Sequence, residues 1–227
     1  MHSPANVLVT VPDHKTLKEK HRAVRDNFPQ PLSLRIHRSL SWLGRAEREA
    51  DDADVRFILS WIGFNAAYSA DLDQAVTCER NAFQSYFKAL VSLDRDNRIY
   101  NAVWNRFSQE IRLLLDNRYV YAPFWKYQNG VAGYEDWEER LRRSMQMIGR
   151  ALHRRDTPLI LSILFDRLYV LRNQLVHGGA TWKSQVNRNQ VRDGAAVLDC
   201  LLPIFIDIMM DNPHHDWGRP YYPVVEA

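Results

Sequence analysis

A chain of 227 residues, 46% hydrophobic and 25% charged, carries enough apolar material for one large domain or two small ones, which excludes a disordered polyelectrolyte. Its net charge of +3 and pI near 8.9 permit contact with a polyanion without demanding it, so the placement of charge matters more than its sum. Cys78 and Cys200 lie far apart and outside any CxxC pair, so neither a zinc site nor a disulfide framework is expected, and a reducing interior is the default.

Residues 1–31 are expected to form an N-terminal arm: a β-prone piece at 7–11, then a charged, helix-compatible stretch at 14–27 that ends before Pro29 and Pro31. The start shows no basic-then-apolar leader pattern, and no apolar run is long enough to span a bilayer, so a cytoplasmic protein without membrane contact is expected. Helical signals then dominate. One helix is predicted over 32–49, and the acidic turn with Asp51, Asp52 and Asp54 separates it from the next and offers an N-cap. The following helix, 54–72, contains RFILSWIGFNAAY, and Ile58, Trp61, Ile62, Tyr68, Ser69 and Leu72 share a face. Asn65 sits in the middle of that face. A buried amide without hydrogen bonds costs about 1–3 kcal/mol, so Asn65 is either satisfied by neighbouring backbone or orients Arg172 from a facing helix.

Two more amphipathic helices are predicted over 79–93 and 98–116, the second with Tyr100, Val103, Trp104, Phe107, Ile111 and Leu114 on one side. Residues 118–133, rich in aromatics and helix breakers, read as a loop with about one helical turn. Tyr119, Tyr121, Phe124, Trp125 and Tyr127 have the chemistry to stack on nucleobases, but covering an open edge of the core is their expected role. An amphipathic helix over 134–155 sets Leu141, Met145, Ile148 and Leu152 on one side and Arg140, Arg143, Arg150 and Arg154 on the other. Glu138 and Glu139 dilute the stripe, yet four arginines in line suit a phosphate backbone and are candidate RNA-binding residues.

The next helix is long and apolar. Asp156 or Thr157 is placed to cap it, Pro158 takes its first position, and Gly178 and Gly179 supply the left-handed residue that ends it. Leu161, Leu164, Phe165, Leu168, Leu171 and Leu175 form one stripe, and Arg172 falls inside it. An unpaired buried charge costs about 3–5 kcal/mol, so Arg172 must snorkel, pair with an acid, or serve a ligand. His177, a residue type that changes charge near neutral pH, lies at the helix end. On an ideal helix Arg172 and His177 point about 140° apart, whereas Asn173 and His177 share a face. For Arg172 and His177 to act at one point, the helix must loosen at the glycines or a second copy must contribute.

Residues 180–188 read as a connector and 190–210 as a last helix with Ala195, Leu198, Leu201, Leu202, Phe205, Ile208 and Met209 inward; Pro203 is expected to bend it. The tail, 213–227, holds His214, His215 and Asp216, but adjacent histidines point apart and no further ligand pair is near, so no metal site is expected. No cofactor is expected either. The expected fold class is all-α, a helical bundle over 32–212 between the arm and the tail.

No GxxxxGK[ST], GxGxxG, HExxH or GxSxG motif occurs, and no paired carboxylates lie on an apolar face. What remains is an Arg, an amide and a His. That set suits metal-free cleavage of RNA, in which His177 moves the proton of the 2′-hydroxyl or of the leaving oxygen and Arg172 stabilises charge growing on the phosphate. Asn173 would hold the phosphate or fix the ring. DNA, without the 2′-hydroxyl, is not cut this way.

Arg172-Asn173-Gln174-Leu175-Val176-His177 resembles the signature of the HEPN superfamily: an Arg, commonly followed by a polar residue such as Asn, then a His after four to six positions, near the end of a helix in an α-helical bundle. RFILSWIGFNAAY, residues 56–68, is similar to a stretch on an earlier helix of many bacterial members. The resemblance covers roughly residues 32–212. It implies an RNase or RNA-binding role, with dimerisation setting the Arg and His of both protomers in one composite cleft. Members commonly act as toxins, in antiviral defence, or as partners of nucleotidyltransferases, and some have lost activity. The expectation is a homodimeric, metal-independent endoribonuclease with Arg172, Asn173 and His177 as catalytic residues and RNA as substrate; an antitoxin or a nucleotidyltransferase is the further partner the resemblance allows. The alternative is a non-catalytic helical module that binds nucleotide, RNA or protein, with Arg172 kept for dimer packing.

Overall fold

Among the residues that the computed structural model describes (10–68, 77–220 and 222–224, the side chains of 77–82 excepted) there are ten α-helices and no strand. They are α1 (His14–Val24), α2 (Gln30–Ala46), α3 (Ala53–Tyr68), α4 (Thr77–Leu93), α5 (Arg98–Asn101), α6 (Ser108–Asp116), α7 (Ala122–Gln128), α8 (Trp137–Arg154), α9 (Thr157–Val176) and α10 (Arg188–Asp211). The expected all-α class is what is found. No helix among the described residues is long and apolar enough to cross a membrane.

The last helix is the axis. Residues 200–206 of α10 are buried without exception, the mark of a helix wrapped on all sides, and α1, α2, α3, α4, α6 and α9 all pack on it. Pro203 sits inside this helix, where its missing N–H and ring disturb the hydrogen-bond ladder. Aromatic rings knit the surrounding helices together: Phe64 of α3 lies 4.4 Å from Phe165 of α9, Phe87 of α4 lies 4.8 Å from Phe165, and Phe205 of α10 lies 5.8 Å from Phe87, centroid to centroid. Burying each ring contributes about 1.5–3 kcal/mol.

Described segments before and after the bundle fasten to it. Asp13 caps α1 by accepting from the Thr16 N–H at 2.8 Å, Leu17 is fully buried, and Lys20 pairs with Asp207 and Asp211 of α10. Residues 14–24, read from the sequence as part of an arm, are therefore docked. At the other end Arg35 of α2 is 1% exposed. Its guanidinium donates to the carbonyls of Ala67 at 3.2 Å, Gly218 at 3.2 Å and Arg219 at 2.6 Å, and Arg38 donates to the carbonyl of Tyr222 at 2.6 Å. Gly218, Arg219 and Tyr222 are thus held against α2. Burial pushes the Arg35 pKa down from its ordinary value, and the carbonyl dipoles offset part of that cost.

Several expectations are corrected. Residues 98–116 do not form one helix: α5 passes into a π-helical segment, Ala102–Arg106, and the chain breaks at Phe107 (φ −117°) before α6. A π turn inserts an extra residue per turn and rotates the face that follows, so Ile99, Ala102, Val103, Phe107, Ile111, Leu114 and Leu115 are buried while Tyr100 and Trp104 are half-buried. Residues 118–133 hold more than one turn: a short 3-10 segment, Arg118–Val120, leads into α7, whose Phe124 packs with Tyr121 and Trp137 in a small separate cluster. On α3 the inward face is Phe57, Ser60, Trp61, Phe64 and Ala67. Ile58, Ile62 and Asn65 are only half-buried, one position off the predicted face. Residues 10 and 11 of the β-prone piece have no regular structure. Residues 7–9, Ser69 and Leu72, and the side chain of Cys78, lie outside the described residues.

Candidate functional site

The start of α9 follows its local signals. Asp156 accepts from the Leu159 N–H at 3.1 Å as the N-cap, and proline stands in the first turn, where a missing N–H costs nothing. Ile160, Leu161, Leu164, Phe165, Leu168 and Leu171 are fully buried. The helix end is equally well defined. The His177 N–H donates to the Asn173 carbonyl at 3.0 Å, Gly178 has φ +70°, and the Gly178 and Gly179 N–H groups return to the carbonyls of Leu175 and Gln174 at 3.4 and 2.7 Å. This pair of back-bonds is the glycine-terminated cap in which a left-handed residue closes the helix, and glycine takes that conformation without a Cβ clash.

Helical hydrogen bonding therefore runs unbroken to His177, and the helix does not loosen before it. The two bearings stay about 140° apart. A side chain does what the backbone does not: Arg172 Nη1 donates to Asn173 Oδ1 at 2.8 Å. Asn173 stands between the two in bearing, about 40° from His177, so this hydrogen bond draws the guanidinium round toward the face that carries His177. Arg172 and Asn173 are half-buried and His177 is exposed. Arg172 is thus less enclosed than its place in the apolar stripe predicts. The buried arginine of α9 is Arg167, 4% exposed, with its guanidinium carbon 4.4 Å from the Tyr121 ring centroid.

The ground around the motif is held by residues that the sequence reading did not assign to it. Gln174 donates from Nε2 to the Tyr119 carbonyl and accepts at Oε1 from Asn187 Nδ2 at 2.8 Å, tying the helix end to the 118–120 turn and to the connector. Asp54, 6% exposed, accepts from the Lys183 N–H at 3.0 Å and from both terminal nitrogens of Arg188 at 2.6 and 3.0 Å. Asp52 accepts from the Asp54 and Val55 N–H groups at 3.1 Å, the expected cap of α3, and also from Trp182 Nε1 at 2.8 Å. Burial alone would raise the Asp52 carboxyl, but these donors outweigh it and hold it below its ordinary value. The aspartates looked like turn and cap residues because their second partners lie about 130 positions away, beyond any local signal.

The arginine stripe of α8 is mixed in state. Arg140 pairs with Asp136 at 2.7 Å and Arg143 with Glu139 at 3.0 Å, while Arg150 and Arg154 are exposed and make no ion pair among the described residues. Only these two offer uncommitted charge. No hydrogen bond joins Asn65 to Arg172 among the described residues, and Asn65 is not enclosed as expected. Close to the motif, Val176, Trp182 and Val186 are 47%, 68% and 83% exposed. The helix end and the connector after it thus carry three large exposed apolar side chains, the residue type that interaction surfaces cover. Among the described residues no group of three or more His, Cys, Asp or Glu is placed to hold a metal ion. Comparison with family models, with curated proteins and with solved structures found no match to this chain.

Proposed function

We propose that this chain is a metal-independent endoribonuclease of the HEPN type, acting as a homodimer in the cytoplasm. The observation that carries the reading is the hydrogen bond that gathers Arg172 onto Asn173 at the solvent-facing end of α9, one turn from the exposed His177. In the proposed step the 2′-oxygen bonds to the adjacent phosphorus and the bond from phosphorus to the 5′-oxygen breaks. The 2′-hydroxyl proton leaves to a base, and an acid protonates the departing oxygen, so a 2′,3′-cyclic phosphate and a free 5′-hydroxyl result. His177 is the acid or the base, Arg172 offsets charge on the non-bridging oxygens, and Asn173 orients the guanidinium. Two histidines, one per protomer, would fill both proton-transfer roles. The exposed Val176, Trp182 and Val186 support a second copy there, since a two-fold contact repeats whatever it touches. Arg150 and Arg154 are the proposed track for the phosphate backbone.

Incubating the purified protein with mixed RNA, with and without chelator, tests this. Chelator-resistant cutting of RNA but not DNA, lost in His177→Ala with the fold intact, is the expected result; cutting unchanged in His177→Ala overturns it. The same exposed apolar residues also favour a second reading, a non-catalytic module docking on another protein such as a nucleotidyltransferase or an antitoxin. No cutting by the parent protein, together with co-purification of a second chain, would select that reading.

A further inference from the structure

A second charged site lies away from the α9 motif, in the groove between α1 and α2. It has a volume of about 430 Å³ and is lined by His14 and Lys18 of α1, by His37, Trp42 and Arg45 of α2, and by Arg48 in the turn that follows. His14 and Lys18 are four apart on one face of α1, and the Lys18 ammonium shares the groove with the guanidinium groups of Arg45 and Arg48. The lining contains no carboxylate. Of the acids that follow α2, Glu47 accepts from the His14 backbone N–H at 2.7 Å and Glu49 pairs with Arg45, so the Arg45 charge is already answered. Lys18 and Arg48 make no ion pair among the described residues. Lys18 and Arg48 are thus two like charges in one groove without a carboxylate partner, and a bound anion would answer both.

The floor of the groove is shaped as well as charged. The imidazole of His14 lies over Gly44, where a Cβ would stand 2.7–2.8 Å from three of its ring atoms, closer than side-chain atoms approach one another. Glycine lets the ring lie there, and a Cβ would require the ring to move. Trp42, 38% exposed, supplies an apolar face among these cations, the combination that takes a phosphate on one side and a planar base on the other.

We infer that the α1–α2 groove binds the phosphate and base of a nucleotide, with Lys18 and Arg48 on the phosphate and Trp42 against the base. The nucleotide comes either free or as a unit of a single RNA strand. The test reads binding without turnover, so it stands apart from the cleavage proposed for α9. Fluorescence anisotropy of the full chain is followed with a labelled single-stranded RNA whose 2′-hydroxyls are methylated, and with ATP and inorganic phosphate as competitors. ATP is expected to displace the strand far better than phosphate. Lys18→Ala with Arg48→Ala should weaken binding about tenfold or more, and Trp42→Ala about fivefold. Gly44→Ala, which leaves every charge in place, should also weaken binding by forcing the His14 ring into the groove. Strand binding that ATP does not compete identifies the strand as the source, and ATP binding without strand binding identifies the free nucleotide. Binding of neither, affinity unchanged in the Lys18 and Arg48 double variant, or phosphate competing as well as ATP would overturn the inference.

Discussion

Arg35 and Arg172 both sit where a helix turns toward the core, and the molecule treats them in opposite ways. Arg35 is enclosed and answered by the carbonyls of Ala67, Gly218 and Arg219, so its charge is spent on fastening the tail to α2. Arg172 is half-buried and, among the described residues, gives one hydrogen bond, to its neighbour Asn173. The difference is instructive: a guanidinium whose donors are met by backbone is architecture, whereas one held by a single neutral amide at a solvent-facing helix end keeps donors for an anion. Burial separates the two, and sequence type alone does not.

Substitution should split them in the same way. Arg35→Ala takes a donor from each of three carbonyls and is expected to lower stability by about 3–5 kcal/mol, measured by chemical denaturation; a loss under 1 kcal/mol would end the contrast. Asp54→Ala strikes the anchor of the motif's connector and leaves Arg188, which is partly solvent-exposed, without its carboxylate. The expected loss is about 2 kcal/mol, with the proposed cleavage reduced because Lys183 and Arg188 lose their shared anchor. Gly178→Ala forces a Cβ onto a left-handed residue and should cost about 1 kcal/mol. Arg172→Ala should change stability least, by less than about 1 kcal/mol, while abolishing cleavage; a fall as large as that of Arg35→Ala would make Arg172 a packing residue.

Acid separates the two regions again. The carbonyls that hold Arg35 do not titrate, whereas Trp182 beside the motif is held by Asp52, whose folded-state pKa lies below its ordinary value of 3.8. A carboxyl with a depressed folded pKa contributes stability that is complete above its unfolded value and is lost as pH falls through the folded one. Protection against hydrogen exchange around Trp182 should therefore fall as pH drops below about 3.8, and Asp52→Asn should weaken that dependence.

Local chemistry was legible along most of the chain. The cap at Asp156, the glycine stop at Gly178, the cap at Asp52 and the inward face of α10 follow from propensity, hydrogen-bonding groups and periodicity within a few residues, and each stands where the sequence indicates. The α3 face was read one position off because this helix is covered on more than one side, by α2, α10 and α9, so its apolar residues do not mark a single stripe. The break at 102–107 was hidden for a related reason: a π turn keeps helical composition while shifting phase.

By itself, then, the sequence determined that this chain is helical, where α9 begins and ends, and that Arg172, Asn173 and His177 stand together in its last turns. Only the tertiary structure decided that Arg167 and Arg35 are the enclosed arginines and Arg172 the accessible one. It also decided that Asp54 reaches across to hold the connector and that Lys18 and Arg48 line one groove. Helix formation depends on neighbours within one or two turns, which the sequence writes out in order. Burial and charge pairing depend on what packs from a hundred residues away, and that is fixed only when the helices close around α10.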